Sequence, residues 1–108
     1  MEISKKRNII FKRDKKFNGS LVPVFIFMDE KNIGKVKNGK EFVFLIDEEE
    51  HIFHIAWSVS TDPKNTYRYS KPLMIDKSKD EIKVRIKNDY SIKSGSVFEL
   101  IIIDSYKS

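Results

Sequence analysis

The sequence has no cysteine, and its 108 residues include only four glycines and three prolines. Without cysteine, neither a disulfide framework nor a thiolate metal site can form. So few glycines leave no glycine-rich phosphate-binding loop, and no serine lies in a nucleophile elbow. The absence of these motifs argues against an enzyme, so we expect neither catalytic residues nor a bound cofactor.

Long hydrophobic runs are also absent. No apolar stretch approaches the roughly 18 residues that span a bilayer, and the first residues are polar and basic. We therefore expect no membrane span and a cytoplasmic protein. With 40% hydrophobic and 34% charged residues, the composition is typical of a globular chain. We predict a single β-sandwich domain over residues 1–108, in which residues 1–7 form a frayed basic N-terminus.

Hydrophobic alternation with a period of two is the main structural signal. Ile82, Val84 and Ile86 alternate with basic residues, which indicates a strand with one buried face and one solvated face. The predicted strands are 8–12, 21–28, 32–36, 41–46, 51–59, 71–76, 82–87 and 97–103. Short strands at this spacing are typical of a sandwich or barrel. We predict an all-β fold, an antiparallel immunoglobulin-like β-sandwich of about seven to eight strands.

Three further structural expectations follow from the same pattern. Asn38-Gly39 is the strongest hairpin signal in the chain, and both residues tolerate the positive φ of a type I′ turn. Residues 61–70 are polar and are expected to form the largest loop. The predicted core comprises Val24, Ile26, Phe44, Phe53, Ile55, Trp57, Ile82, Val84, Ile86, Leu100 and Ile102.

His51 and His54 are the only histidines, and three glutamates at 48–50 precede them. Residues three apart on a strand point to opposite faces, so one ion could not bind both imidazoles. We expect no metal site. The paired carboxylates of the chain lie in predicted turns, where acidic residues are common for backbone reasons, and the sequence shows no cleft around them.

The positive charge is concentrated at one end of the chain. Residues 1–20 contain seven basic and two acidic residues, whereas residues 21–108 contain fourteen of each. Such a cluster can neutralise phosphates, although Ile9 to Phe11 interrupt it as a strand would. The candidate anion contacts are Lys5, Lys6, Arg7, Lys12, Arg13, Lys15 and Lys16.

Tyr67, Arg68 and Tyr69 are the candidate contacts with a partner, because they lie in the longest predicted loop. Exposed tyrosines often serve as interface residues. The alternative is that these tyrosines cover one end of the core and leave their hydroxyls in water.

A resemblance to a known family covers about a third of the chain, from Val22 to Phe53. Its motifs are Pro23-Val24 before a strand, Asp29, the segment 33–36, Asn38-Gly39, and His51 at the start of the next strand. This segment resembles the PEGA-like domains and the related DUF2846-type domains, which are small bacterial β-sandwich modules of unknown function. The resemblance implies a non-catalytic sandwich, often attached to other domains or to the cell envelope.

These observations favour a non-enzymatic interaction or accessory module, with a protein as its partner. The alternative is a nucleic-acid or anionic-surface binder that uses the basic N-terminal segment. Exposed sheet edges also leave open the formation of a homo-oligomer.

Overall fold

The computed structural model describes residues 6–15, 22–58, 67–76, 81–91 and 95–106. All regular secondary structure in these ranges is β, which confirms the all-β prediction. Within them, no helix has the length and hydrophobicity needed to cross a bilayer. The described residues form nine strands: β1 (Arg7–Arg13), β2 (Val24–Met28), β3 (Lys31–Val36), β4 (Glu41–Ile46), β5 (His51–Ser58), β6 (Tyr67–Tyr69), β7 (Leu73–Ile75), β8 (Glu81–Ser91) and β9 (Gly95–Tyr106).

The strands form two sheets. Sheet A has the order β4-β1-β8-β9, and sheet B has the order β3-β2-β5-β6, with β7 also paired to β5. The expectation that all strands pair antiparallel is wrong for one pair, because β1 runs parallel to β8. Alternating hydrophobicity shows which face of a strand is buried, but it carries no information on the direction of the neighbouring strand.

The core lies between the two sheets. The rings of Phe11 in sheet A and Phe53 in sheet B are 5.5 Å apart, and those of Trp57 and Phe98 are 5.3 Å apart. Nine of the eleven predicted core residues are buried. Phe44 is only half-buried, and Ile102, on the edge strand β9, is 42% exposed.

The type I′ hairpin is formed by Asp29 and Glu30 rather than by Asn38-Gly39. Asp29 and Glu30 have φ values of 51° and 70° and connect β2 to β3. At the predicted site only Gly39 has a positive φ, so the type I′ prediction is wrong there. That turn is closed by the Lys40 N–H, which donates to the Lys37 carbonyl at 3.0 Å, and it leads from sheet B into sheet A.

Part of the predicted loop is a strand. Residues 67–69 form β6, and β6 and β7 lie one after the other along the same edge of β5. Ser70 lies between β6 and β7 and continues the hydrogen bonding to β5. Its N–H donates to the Ile55 carbonyl, and its Oγ accepts from the Ile55 N–H. The remaining loop residues, 61–66, lie outside the described residues.

Candidate functional site: the aromatic face of sheet B

The outer face of sheet B carries aromatic rings where a solvated sheet face usually carries polar side chains. Alternation along β2, β5 and β6 directs these side chains away from the core. We call this surface the aromatic face, and its rings are Phe25, Phe27, His54, Tyr67 and Tyr69.

The five rings contact one another across neighbouring strands. Phe27 and His54 are stacked with their centroids 4.7 Å apart and their planes 4° apart. His54 lies 5.9 Å from Tyr69, and Phe25 lies 6.2 Å from Tyr67. Cross-strand aromatic pairs stabilise a sheet, and here they also hold the rings in one surface.

A shallow depression of about 230 Å³ lies within the aromatic face. It exists because Ala56 pairs directly with Phe25 on one side and with Tyr69 on the other. A methyl group between two large rings leaves a depression, and Asn32 adds an amide to its lining. The aromatic face therefore combines an apolar surface with a shaped recess and a polar group.

Charge, more than exposure, distinguishes this face from the outer face of sheet A. Tyr69 is 64% exposed and Met74 is 56% exposed, and Ile52 extends the same apolar surface. The five strands of sheet B contain no aspartate or glutamate. In contrast, β8 on the outer side of sheet A presents Lys83, Arg85 and other charged side chains.

The predicted partner contacts divide between two surfaces. Tyr67 and Tyr69 lie on the aromatic face, whereas Arg68 is opposite Trp57 on the other side of β6. The phenylalanines of β2 were missed, because the continuous apolar segment 21–28 is equally typical of a strand buried on both faces. Only the absence of a further layer over sheet B in the described residues distinguishes the two cases.

A groove of about 670 Å³ lies beside the aromatic face, where the edge strands β6 and β9 face each other. Trp57 and Phe98 line it, together with Arg68 and Glu99. Trp57 is 3% exposed, as predicted for a core residue, and its indole N–H has no hydrogen-bond partner among the described residues.

His51 lies between two carboxylates at one end of the sandwich. Its Nδ1 is 2.5 Å from Asp29 Oδ2, and its Nε2 is 2.7 Å from Asp47 Oδ1. Burial lowers the pKa of His51, but hydrogen bonds to the two carboxylates outweigh this effect and raise it overall. The Ile52 N–H and then His51 hold the pKa of Asp29 below its usual value.

This cluster is suited to holding turns together rather than to catalysis or metal binding. Both ring nitrogens of His51 face carboxylates, so neither is open to a substrate or an ion. Asp29 belongs to the β2–β3 turn and Asp47 to the β4–β5 turn, so His51 connects both turns to β5. Over the described ranges, no group of three or more His, Cys, Asp or Glu residues could hold a metal ion.

Burial contradicts the anion-contact prediction for Arg7, whereas Arg13 is equally buried but also lines a basic cleft near the β3–β4 turn. Arg7 and Arg13 are each 1% exposed, and Arg7 begins β1 instead of belonging to a frayed end. Arg7 donates to the carbonyl oxygens of Asp47, Asp76 and Glu49. Alternation turns both arginines inward, where main-chain carbonyls replace water as acceptors.

Arg13 occupies the opposite end of β1. It donates to the Val36 carbonyl at 2.8 Å, and its guanidinium lies 4.9 Å from the centroid of the Phe98 ring. Burial lowers its pKa. The other candidate anion contacts differ in placement: Lys6, Lys12 and Lys15 are exposed, and Lys5 and Lys16 lie outside the described residues.

A basic cleft of about 450 Å³ lies near the β3–β4 turn. Lys35, Lys37 and Lys40 line it, and the lining contains no carboxylate. Arg13 also lines the cleft and Lys15 packs against Gly39 in the same turn, so two predicted anion contacts lie next to three lysines that the charge pattern did not single out. The charge pattern of the sequence did not reveal these lysines, because residues 21–108 contain equal numbers of basic and acidic residues.

Comparison of the chain with protein-family models, with curated proteins and with solved structures finds no match. The resemblance to PEGA-like and DUF2846-type domains therefore stays a prediction.

Proposed function

We propose that this chain is a non-enzymatic interaction module and that a protein partner docks on the aromatic face. The observation that carries the proposal is the exposure of aromatic and apolar side chains on a sheet face that is solvated in the described chain. Contiguous exposed apolar patches mark interaction sites, and the energetically dominant residues of protein interfaces are enriched in tyrosine.

A protein fits this face better than a nucleic acid does. The five rings have no lysine or arginine among them, and Lys35 lies beside Phe25 at the β3 edge of the face. Met74 and Ile52 extend the face with flexible and branched apolar groups. Interface cores are depleted of charge and enriched in aromatic residues and methionine. Nucleic-acid sites instead need cations along the path of the phosphates.

The finer assignments belong to the same proposal. We propose an immunoglobulin-like arrangement, a relationship to the bacterial PEGA-like modules, and a cytoplasmic location. Asp29 and His51 support the relationship to PEGA-like modules, because these two positions of the resemblance are hydrogen-bonded to each other. The two-sheet architecture supports the immunoglobulin-like arrangement.

Site-specific photo-cross-linking tests the partner proposal. A benzoylphenylalanine in place of Tyr69, in the protein produced in its own cells, should cross-link to one discrete protein. The same probe in place of Leu45, which is 60% exposed on sheet A, serves as the matched control. The cross-linked protein is then purified and titrated against the wild type and two variants, Tyr69→Ser and Ala56→Leu.

Both variants should weaken binding. Tyr69→Ser removes a large exposed contact, for which we expect about a tenfold or greater loss of affinity. Ala56→Leu fills the depression between Phe25 and Tyr69. Equal cross-linking from Leu45, or unchanged affinity in both variants, would contradict docking on the aromatic face.

The basic cleft supports a second candidate function, binding of a nucleic acid or another polyanion. Lys35, Lys37 and Lys40 lie together there without a carboxylate in the lining. Fluorescence titration with mixed-sequence single- and double-stranded oligonucleotides at low and moderate salt tests it. Binding that weakens with salt, and that a triple lysine-to-serine variant abolishes, would support this function.

The matched control changes Lys6, Lys83 and Lys87 to serine, because these three lysines lie outside the cleft lining and their replacement removes the same charge. Loss of binding in the control as well would show non-specific attraction by net charge. The absence of binding at low salt would exclude the second candidate.

A further inference from the structure

We infer that β9 pairs with β9 of a second copy of this chain, so that two four-stranded sheets A join into one continuous sheet. The surface involved is the outer edge of β9, which has no partner strand in the described parts of the chain. A strand edge presents a row of unpaired N–H and C=O groups, and another strand is the group that satisfies them.

The two sides of the sandwich differ. On one side the 37–40 turn joins β3 to β4, and the Phe42 ring lies so close to Gly34 that an ideal Cβ there would be 2.5 Å from Phe42 Cε2. On the other side β6 and β9 are separate, and the groove of about 670 Å³ lies between them. The open side is therefore the β9 side.

β9 has few of the features that usually protect an edge strand, and its one bulge, at Ile103, lies towards the end of the strand. Proteins block edges with lysine, proline, short strands or bulges. β9 has 12 residues and neither lysine nor proline, and Glu99 is the only charge between Val97 and Ile103. Its one irregularity of pairing with β8 lies near Ile103, which leaves the preceding part regular.

Exposed apolar side chains lie along this edge. Val97, Ile102 and Ile103 are 38%, 42% and 52% exposed. Ile102 is opposite Val84, which is fully buried, so both side chains are on the core-facing side of sheet A. Phe98 and Leu100 on the same side of β9 are buried, so Ile102 is the core-facing residue of this edge that is left exposed among those described.

A second copy complements this edge better than an arbitrary peptide does. In an antiparallel pair centred on Leu100, Phe98 lies opposite Ile102 of the second copy, and Glu99 lies opposite Ile101 of the second copy. No like charges face each other directly in this register, and the exposed Ile102 gains an apolar neighbour. Identical strands related by a two-fold axis satisfy both edges at once.

The proposed dimer contact and the aromatic face meet at the groove, because Tyr67 and Tyr69 line the groove as well as belonging to the face. Pairing through β9 reaches this shared end of the face, whereas Phe27 and His54 do not line the groove and stay on the outer face of sheet B. The dimer would carry two aromatic faces, and failure of either proposal leaves the other standing.

Sedimentation velocity over a wide concentration range tests the inference with the protein alone. We expect the wild type to have twice the mass of one chain. Val97→Lys with Ile103→Lys should raise the dimer dissociation constant by about tenfold or more, because lysine blocks edge pairing. Ile103→Lys alone is the milder variant, since this side chain is the more exposed.

The matched control is Val43→Lys with Leu45→Lys on β4, the other edge of sheet A. It makes the same change of charge at two similarly exposed apolar residues and should leave the dimer intact. Far-UV circular dichroism shows whether each variant keeps its β spectrum. A monomeric wild type overturns the inference, as does a folded β9 variant that remains dimeric or a control that dissociates equally.

Discussion

Replacing Arg7 by methionine tests whether this arginine stabilises the fold or binds an anion. Methionine keeps an unbranched stem of similar length and removes the guanidinium. In the wild type the guanidinium donates to the carbonyls of Asp47 at 2.9 Å, Asp76 at 2.6 Å and Glu49 at 2.5 Å. The substitution removes all three hydrogen bonds and leaves three carbonyls without this donor.

The expected loss of stability follows from these contacts. A hydrogen bond to a charged group contributes about 1.5–3 kcal/mol, so three would contribute at most about 5–9 kcal/mol. Glu49 and Asp76 are exposed and Asp47 is half-buried, so their carbonyls regain water in the variant. We therefore expect the free energy of unfolding to fall by about 3 kcal/mol.

Urea unfolding followed by tryptophan fluorescence measures this change, because Trp57 is buried in the native core. Lys6→Met is the control, since Lys6 is adjacent, carries the same charge and is exposed. It should change stability by less than about 0.5 kcal/mol. A similar small effect for Arg7→Met would refute the structural role of Arg7.

Two further predictions concern the turns and the sheet contact. The pKa of His51 is raised, so its contribution to the free energy of unfolding is full below about pH 6.5 and is lost as the pH rises through its folded pKa. The pKa values of Asp29 and Asp47 are lowered, so their contributions to the free energy of unfolding are lost on acidification below about pH 4. The midpoint of urea unfolding should therefore be highest between about pH 4 and about pH 6.5. His51→Asn should reduce the fall in this midpoint at higher pH, and an unchanged fall would contradict the role of His51. Gly34→Ala should lower the free energy of unfolding by about 1–3 kcal/mol, because the added methyl group overpacks against Phe42. In a Phe42→Leu variant the same substitution should cost less stability. Equal losses with and without the Phe42 ring would argue against this contact.

The sequence predicted the local features well. The alternation of Ile82, Val84 and Ile86 identified both a strand and its buried face, and all three are at most 1% exposed. Trp57 was placed in the core on the same basis, and its burial confirms it. Such predictions succeed because the pleat of a single strand fixes which side chains share a face.

The turns were harder to predict, because their conformation depends on contacts from distant strands. Asp29 and Glu30 have positive φ, which is unfavourable for residues other than glycine. Ile52 compensates, since its carbonyl accepts from the Asp29 N–H and its N–H donates to the Asp29 carboxylate. Nothing in residues 28–31 reveals this partner from β5.

The sequence alone determined that this chain is all-β, that it has no cysteine chemistry, and which side chains of each regular strand lie together. Only the tertiary structure decided that β1 runs parallel to β8, that Arg7 and Arg13 are buried, and that the second face of β2 is solvated. These features depend on which strands and sheets lie next to each other, and that placement results from contacts between residues far apart in the chain.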